Sequence, residues 1–299
     1  MSHKYSDVYS SAQSSSAGLL DEQVNIHSTA NIHPTAIVEE GAKIGAHVLI
    51  EPYTVIKKNV VLKEGVIIKA HVYLDGNTTV GEGTTIWPFA SIGTQTQDLK
   101  YRGETTYVSI GRGCNIREYV TINSSSIEGS TVKVGDHCHI MAYCHVAHDC
   151  EIGDHVIMAN GATLAGYVTI EDFAVIGGLT AIHQFCRVGR YAMVGGHSAI
   201  GRDVPPFTLG RGDPFKLGGL NLVGLKRHQF SLEERCRLSE AFKLTFRCGL
   251  SLEEALSRVE QEVEQIPQVK EWVAFCRNSK RGVVVVSGEE EREGGLEEN

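Results

Sequence analysis

The sequence predicts a mainly β protein: a parallel β-helix with three short strands per turn, followed by a small α-helical domain. Three observations carry this. An aliphatic residue recurs every six positions through two-thirds of the chain, and a small residue follows each of them by four. Past about residue 205 the spacing becomes helical.

The aliphatic column begins at Ile26 and runs without a miss through Ile32, Val38, Ile44, Ile50, Ile56, Leu62, Ile68, Leu74, Val80, Ile86 and Ile92. It returns at Ile110, Ile116 and Ile122, and again from Val134 to Ile200, so that twenty-seven hexads share one phase. The second column reads Ala30, Ala36, Ala42, Val48 and Thr54, and later Ala162, Val168, Ala174, Thr180 and Ala192. A large inward residue with a small one near each corner suits a triangular prism. Its coils of 18 residues hydrogen-bond about 4.8 Å apart. Cys114, Cys138, Cys144, Cys150 and Cys186 fall in the small inward column. They read as buried small hydrophobes rather than ligands or nucleophiles. With no CxxC pair, the eight cysteines point to reduced thiols in an intracellular compartment.

Taken in order, residues 1–19 are Ser-rich with no apolar signal core and read as a flexible segment. The prism occupies 20–205, with polar loops at 94–106 and 124–132 that must leave it. Loops on a rigid scaffold are where function concentrates. Residues 206–287 read as the helical domain, with helices at 231–248, 251–265 and 267–279. Ser231–Glu234 and Ser251–Glu254 are capping boxes, Gly249 is a stop and Pro267 a start. The tail 288–299 holds six Glu and one Arg, and so carries −5 of the net charge of −8. The rest is nearly neutral, without the basic stripe of a nucleic-acid binder. No apolar run approaches the roughly 18 residues of a membrane span.

Residues 18 apart stack, so His148, Gly166, Gln184 and Arg202 form one outward ladder. A histidine beside a glycine amide supplies a base and an oxyanion donor, the parts of acyl transfer. Asp149 stands ready to orient the imidazole. Solvent-exposed histidines with no chemistry remain the competing reading of any single one.

The stretches GTQTQDLKYRGE, HVAHDCEIGDHVIMANGATLAG, AIHQFCRVG, MVGG and GLKRHQFS, in that order, resemble the acyl-[acyl carrier protein]–UDP-N-acetylglucosamine O-acyltransferases over residues 22–282. The resemblance implies a left-handed coil and a homotrimer with sites between subunits. It also implies transfer of an (R)-3-hydroxyacyl chain from acyl carrier protein to the 3-hydroxyl of UDP-N-acetylglucosamine, the first step of lipid A-type glycolipid synthesis. No metal or redox cofactor is implied, because the acyl group arrives on the carrier's phosphopantetheine arm. His148 then matches the general base, Asp149 its partner and Gly166 the backbone oxyanion donor. Asp98 and Lys100 match sugar-nucleotide contacts, and His145, His183 and Gln184 line the same cleft. Asn221 and Arg227 match contacts near the nucleotide or the carrier arm, and Gly196 the position limiting acyl length. Tyr167 replaces a histidine at a sugar-contact position, and His228 replaces the second arginine of the usual LKRR.

The same resemblance frames two further expectations. An open groove at Gly196 predicts chains near C14, and the basic residues of 226–248, including Arg235 and Arg237, offer a dock to the acidic carrier. The Ser-rich start, cysteines and acidic end suggest the plant branch and a mitochondrion, with a bacterial cytoplasm as the alternative. Three rivals are weighed. A zinc carbonic anhydrase of this fold uses a His-x4-His pair, and the thirteen histidines contain none. A hexapeptide acetyltransferase using acetyl-coenzyme A fits the prism but neither the QDLKY loop nor the helical domain. An inactive structural solenoid would bind nothing at His148.

Overall fold

The computed structural model describes residues 25–286, so the Ser-rich segment 1–19 and the acidic tail 288–299 lie outside the described residues. Between Asn25 and Ile200 the chain winds through two- to four-residue strands that stack into three parallel sheets. Each strand pairs with the one a full coil later: Lys43–Ile44 with Val61–Leu62, and Thr163–Leu164 with Ala181–Ile182. The side-chain alternation of a strand does the sorting. In nearly every pair the second residue is buried and the first looks outward.

The two loops enter without disturbing this register. Asn77–Val80 pairs with Tyr107–Ile110, 30 residues on, and that strand pairs with Thr131–Val134, 24 residues on. The excess over 18 is two hexads and then one, which is why the aliphatic column keeps its phase across both. The strands bracketing the insertions are longer than two residues: Ser91–Thr94, Tyr107–Ile110 and Thr131–Val134 have four and Thr121–Asn123 has three. They take up Thr94 and Thr131, so the irregular segments are slightly shorter than 94–106 and 124–132.

Ile44, Ile50, Ile56 and their successors are at most a few per cent exposed, and the small column beside them is sealed. Each large aliphatic so buried stabilises the fold by roughly 1.5–3 kcal/mol. The cysteines in the small column do more than fill space. Cys114, Cys138, Cys144 and Cys150 each direct Sγ at a backbone carbonyl 3.0–3.1 Å away, as the hydroxyls of Thr54 and Thr84 do at 2.8–2.9 Å. Burial pushes the Cys144 thiol up to about 11 and that of Cys150 up to about 12.

From Gly41 onward the residue before most small ones turns the corner with positive φ, and this position is more often a side-chain-bearing residue than glycine: Tyr53, His71, Phe89, Tyr119, Tyr143, Tyr167, Phe173, Phe185 and Tyr191 all adopt φ between 56° and 65°. Their rings stack coil upon coil. Tyr53, His71, Phe89, Tyr119 and Tyr143 lie 4.9–5.1 Å apart in one ladder, and Tyr167 and Phe185 lie 4.8 Å apart in another. Stacking at the strand spacing offsets the left-handed backbone cost of about 1–2 kcal/mol per residue.

The boundary drawn at 205 is too early. Thr208–Arg211 still pairs in parallel with Met193–Val194, and Lys216–Leu220 then turns back antiparallel on it. These strands lie outside the hexad phase, so a six-residue period does not detect them. A short helix not expected from the sequence, α1 (Leu222–Arg227), follows. It leads to α2 (Leu232–Arg247), α3 (Leu252–Glu262) and α4 (Pro267–Arg277). Ser231 and Glu234 form the reciprocal capping box, whereas Ser251 caps in one direction only, accepting from Glu254 N–H. Helix α3 ends earlier than its periodicity suggests because Val263 is extended and Gln265 Nε2 takes the carbonyls of Val259 and Val263. Trp272 is fully buried among α2 and α4, its Nε1 donating to Thr245 Oγ1 at 3.1 Å. The chain then returns to the prism through Val283 and Val286, which bridge to Asp203 and Leu217. Among the described residues no helix is long and apolar enough to cross a membrane.

Candidate active site

His148 stands one position before a corner, and Asp149 occupies the corner with φ 57°. In the two following coils this corner slot belongs to Tyr167 and Phe185, so the carboxylate takes a ring's place at the head of their stack. A short polar residue tolerates the left-handed conformation. The turn carries the Asp149 carboxylate to His148, Oδ2 lying 2.9 Å from Nδ1. The two side chains are 16% and 7% exposed.

Loop residues 124–130 wrap the carboxylate from the other side. Ser125 Oγ donates to Oδ1, Ser130 Oγ donates to Oδ1 at 2.9 Å, and Ser126 donates to Oδ2 through both Oγ (2.7 Å) and N–H (3.2 Å). Burial alone would raise the Asp149 carboxyl. The hydrogen bonds from Ser125, Ser126, His148 and Ser130 outweigh it and bring the group down to about 2. An ionised Asp149 bonded to Nδ1 fixes the tautomer of His148 and leaves Nε2 for a substrate.

Gly166 lies directly beneath that ring. A β-carbon there would stand 2.3 Å from His148 Cε1 and 2.5 Å from Nε2, so only glycine lets the imidazole rest at this height. The Gly166 carbonyl accepts from Phe185 N–H, while among the described residues its own N–H is given to no backbone carbonyl. Tyr167 meets the His148 ring edge-on at 5.1 Å, and its hydroxyl lies 3.3 Å from Ser126 Oγ.

His148 and Tyr167 face a cavity of about 750 Å³, while Asp149 and Gly166 adjoin His148 without lining it. Of the residues singled out from the sequence, Asp98, Lys100, His145, His148, Tyr167 and Gln184 line it. Asp98 shapes its loop by accepting from Lys100 N–H at 2.9 Å. His145 Nδ1 is 2.7 Å from Thr121 Oγ1, and burial, with His148 nearby, lowers its pKa and favours the neutral ring. Apart from Asp149 and Gly166, four of the expected residues are not brought there within one chain. His183 is engaged elsewhere, its Nδ1 lying 3.1 Å from the carbonyl of the adjacent Gln184 and 3.3 Å from Arg281 Nη2. Asn221 caps α1 and donates to the Tyr191 carbonyl, and Arg227 sits in the last turn of that helix. Gly196 is not among the residues lining the cavity, and a β-carbon there would lie 3.1 Å from the Gly178 carbonyl oxygen of the adjacent coil.

Sequence reasoning missed the serines. The signal was present, because Ser125 is one coil and one inserted hexad before Asp149. A run of three serines in a loop reads as solvated until that offset is counted. Asn123 and Gln97, joined at 3.4 Å, also line the cavity and were not foreseen.

The fold and the site define a hexapeptide-repeat acyltransferase, a left-handed parallel β-helix. Residues 131–166 match the bacterial transferase hexapeptide profile, and 203–284 match domain 2 of UDP N-acetylglucosamine O-acyltransferase. The acyl-[acyl-carrier-protein]–UDP-N-acetylglucosamine O-acyltransferase of Chlamydia caviae is 57% identical over 208 residues, 69% of this chain and 75% of its own. The solved UDP-N-acetylglucosamine acyltransferase of Campylobacter jejuni is 41% identical at a TM-score of 0.81, covering 85% of this chain and 99% of its own. That of Arabidopsis is 34% identical at 0.75, covering 87% and 99%. The chain belongs to the acyl-[acyl-carrier-protein]–UDP-N-acetylglucosamine O-acyltransferase family. The plant-branch expectation finds no support, since these bacterial relatives are more similar to it than the Arabidopsis protein is.

Two outcomes follow from the geometry. Gly166→Ala pushes a methyl group into the imidazole, and kcat should fall by about 10²-fold or more in a correctly folded protein; activity within twofold of wild type contradicts the arrangement. Asp149 titrates near 2 when folded and at about 3.9 when unfolded, so its stabilisation is complete above about pH 4 and fades as pH falls further. Urea denaturation of wild type and Asp149→Asn should therefore give a stability gap that is constant from about pH 8 to 5 and closes only below about 4. A gap that closes near neutrality contradicts this assignment.

Proposed function

We propose that the chain transfers an (R)-3-hydroxyacyl group from acyl carrier protein to the 3-hydroxyl of UDP-N-acetylglucosamine, with His148 as the general base. The observation that carries this reading is His148 tied by Nδ1 to an ionised Asp149 and packed over Gly166, whose N–H meets no backbone carbonyl among the described residues. Nε2 takes the hydroxyl proton as the sugar oxygen attacks the thioester carbonyl, and the Gly166 N–H stabilises the oxyanion. The carbon–sulfur bond then breaks, the imidazolium returns its proton to the thiolate, and ester and carrier thiol leave. The thioester brings its own activation, so the step calls on no metal or redox cofactor.

Asp98, Lys100 and Gln184 are the polar groups placed to hold the sugar nucleotide, and Tyr167 closes one side where the resemblance leads one to expect histidine. His183, Gly196, Asn221 and Arg227 stand apart from the His148 cavity within one chain. A homotrimer, in which a neighbour's surface completes each cleft, accounts for their separation. The bacterial relatives favour the cytoplasm over the mitochondrion as the site of action, with the product entering lipid A-type glycolipid synthesis.

The test is mass spectrometry of products formed from C10, C12 and C14 3-hydroxyacyl carriers with UDP-N-acetylglucosamine, on wild type and His148→Ala. Wild type should yield the 3-O-acyl sugar nucleotide. His148→Ala should lower kcat by about 10²–10⁴ while nucleotide binding falls less. Near-normal turnover in the folded variant overturns the base assignment.

A further inference from the structure

Around the Asp149 carboxylate the protons are assigned by counting them. Ser126 Oγ has three polar neighbours: Asp149 Oδ2 at 2.7 Å, Tyr167 Oη at 3.3 Å and His148 Nδ1 at 3.4 Å. A hydroxyl has one proton to give and two lone pairs with which to receive. The ionised carboxylate accepts without donating and lies closest, so the Ser126 proton goes to Oδ2. Nδ1 gives its proton to the same oxygen, at 2.9 Å. Ser126 Oγ is then left to accept from Tyr167. The chain runs from the Tyr167 hydroxyl to the Ser126 hydroxyl to Asp149 Oδ2, and the His148 N–H meets that oxygen from the other side. Hydrogen bonds aligned in this way polarise and strengthen one another where burial lowers the local dielectric.

The two carboxylate oxygens are served differently. Oδ1 takes Ser125 and Ser130, and Ser130 divides its proton between Oδ1 and the Ile127 carbonyl 2.6 Å away. Oδ2 is the oxygen that holds His148, and Ser126 grips it twice, through Oγ and through its N–H at 3.2 Å. Tyr167 is itself firmly placed. Its N–H donates to the His148 carbonyl at 3.0 Å, its ring stacks on Phe185 at 4.8 Å, and the His148 ring meets it edge-on at 5.1 Å. Among the described residues Ser126 Oγ is also the one rival to Oδ2 for the Nδ1 proton. A proton arriving from Tyr167 makes that oxygen a weaker acceptor and a stronger donor, which keeps the imidazole on the carboxylate.

We propose that Ser126 is a positioning residue for acyl transfer and that Tyr167 acts through it, the two hydroxyls holding Asp149 Oδ2 against His148 Nδ1 while the imidazole gains and returns its proton. The inference rests on the acyl-transfer reading above and deepens the same site. It gives Tyr167, which stands where the resemblance leads one to expect histidine, a role toward the base that is separate from any contact with the sugar.

The experiment is a double-mutant cycle on the full-length chain with Ser126→Ala and Tyr167→Phe, each variant checked by thermal melting. It reads kcat, and KM toward UDP-N-acetylglucosamine. Ser126→Ala should lower kcat by about tenfold and Tyr167→Phe by about fivefold, with KM within about twofold of wild type. The double variant should be slower than Ser126→Ala by no more than about twofold, because both substitutions break one chain. Losses that multiply in the double variant, or a Tyr167→Phe loss confined to KM, overturn the proposal and leave Tyr167 a sugar contact. A second readout is independent of turnover. Nitrogen-15 NMR of the His148 ring, assigned by its disappearance in His148→Ala, follows exchange of the Nδ1 proton with water. Both single variants should speed that exchange by about tenfold or more, and unchanged exchange overturns the proposal. If exchange responds as expected while wild type transfers no acyl group, the hydrogen-bonded chain stands and the acyl-transfer reading is what fails.

Discussion

The register between coils governs this molecule. Every backbone strand bond, every buried aliphatic and every corner ring repeats at the spacing of two hydrogen-bonded strands. An inserted loop is tolerated only in whole hexads, as at the 30- and 24-residue offsets around Tyr107–Ile110. A one-residue slip would exchange the inward and outward faces of every later strand. The rigidity this imposes holds two adjacent residues, His148 and Asp149, in hydrogen-bonding position. Their relative position is set by the corner, not by a flexible loop.

The electrostatics of the site follow from where the second insertion leaves and rejoins the prism. It delivers Ser125, Ser126 and Ser130 to the carboxylate of Asp149, so four donors including His148 converge on a group that burial alone would neutralise. A carboxylate so held is a weak base and a strong anchor, suited to orienting an imidazole and stabilising its protonated form. Gly166 supplies the complementary economy of space: the absent β-carbon lets the ring approach an amide that a side chain would cover.

Much of this was legible in the sequence, for identifiable reasons. The aliphatic and small columns are direct images of the prism interior, and exact multiples of 18 placed Gly166 and Gln184 under His148. The cysteines were legible as interior residues, but not their Sγ contacts to carbonyls, because nothing in a six-residue period distinguishes packing from hydrogen bonding. The aromatic corner ladders are equally periodic but occupy the outward corner column, which the two inward columns do not reveal. Thr208–Arg211 and Lys216–Leu220 were lost because pairing there is set by the end of the prism and not by repetition. Counting coils gives Gly196 a height along the axis, but not what lies beside it, the Gly178 backbone of the adjacent coil.

The account's central claim is that His148 Nε2, and no other group, meets the reacting hydroxyl of the sugar. A crystal structure of this chain with UDP-N-acetylglucosamine bound tests it most directly. The account predicts the 3-hydroxyl oxygen about 2.6–3.2 Å from Nε2, with Asp98, Lys100 or Gln184 on the sugar. A fully occupied nucleotide sugar whose 3-hydroxyl lies beyond hydrogen-bond reach of His148 and against another titratable side chain would contradict it.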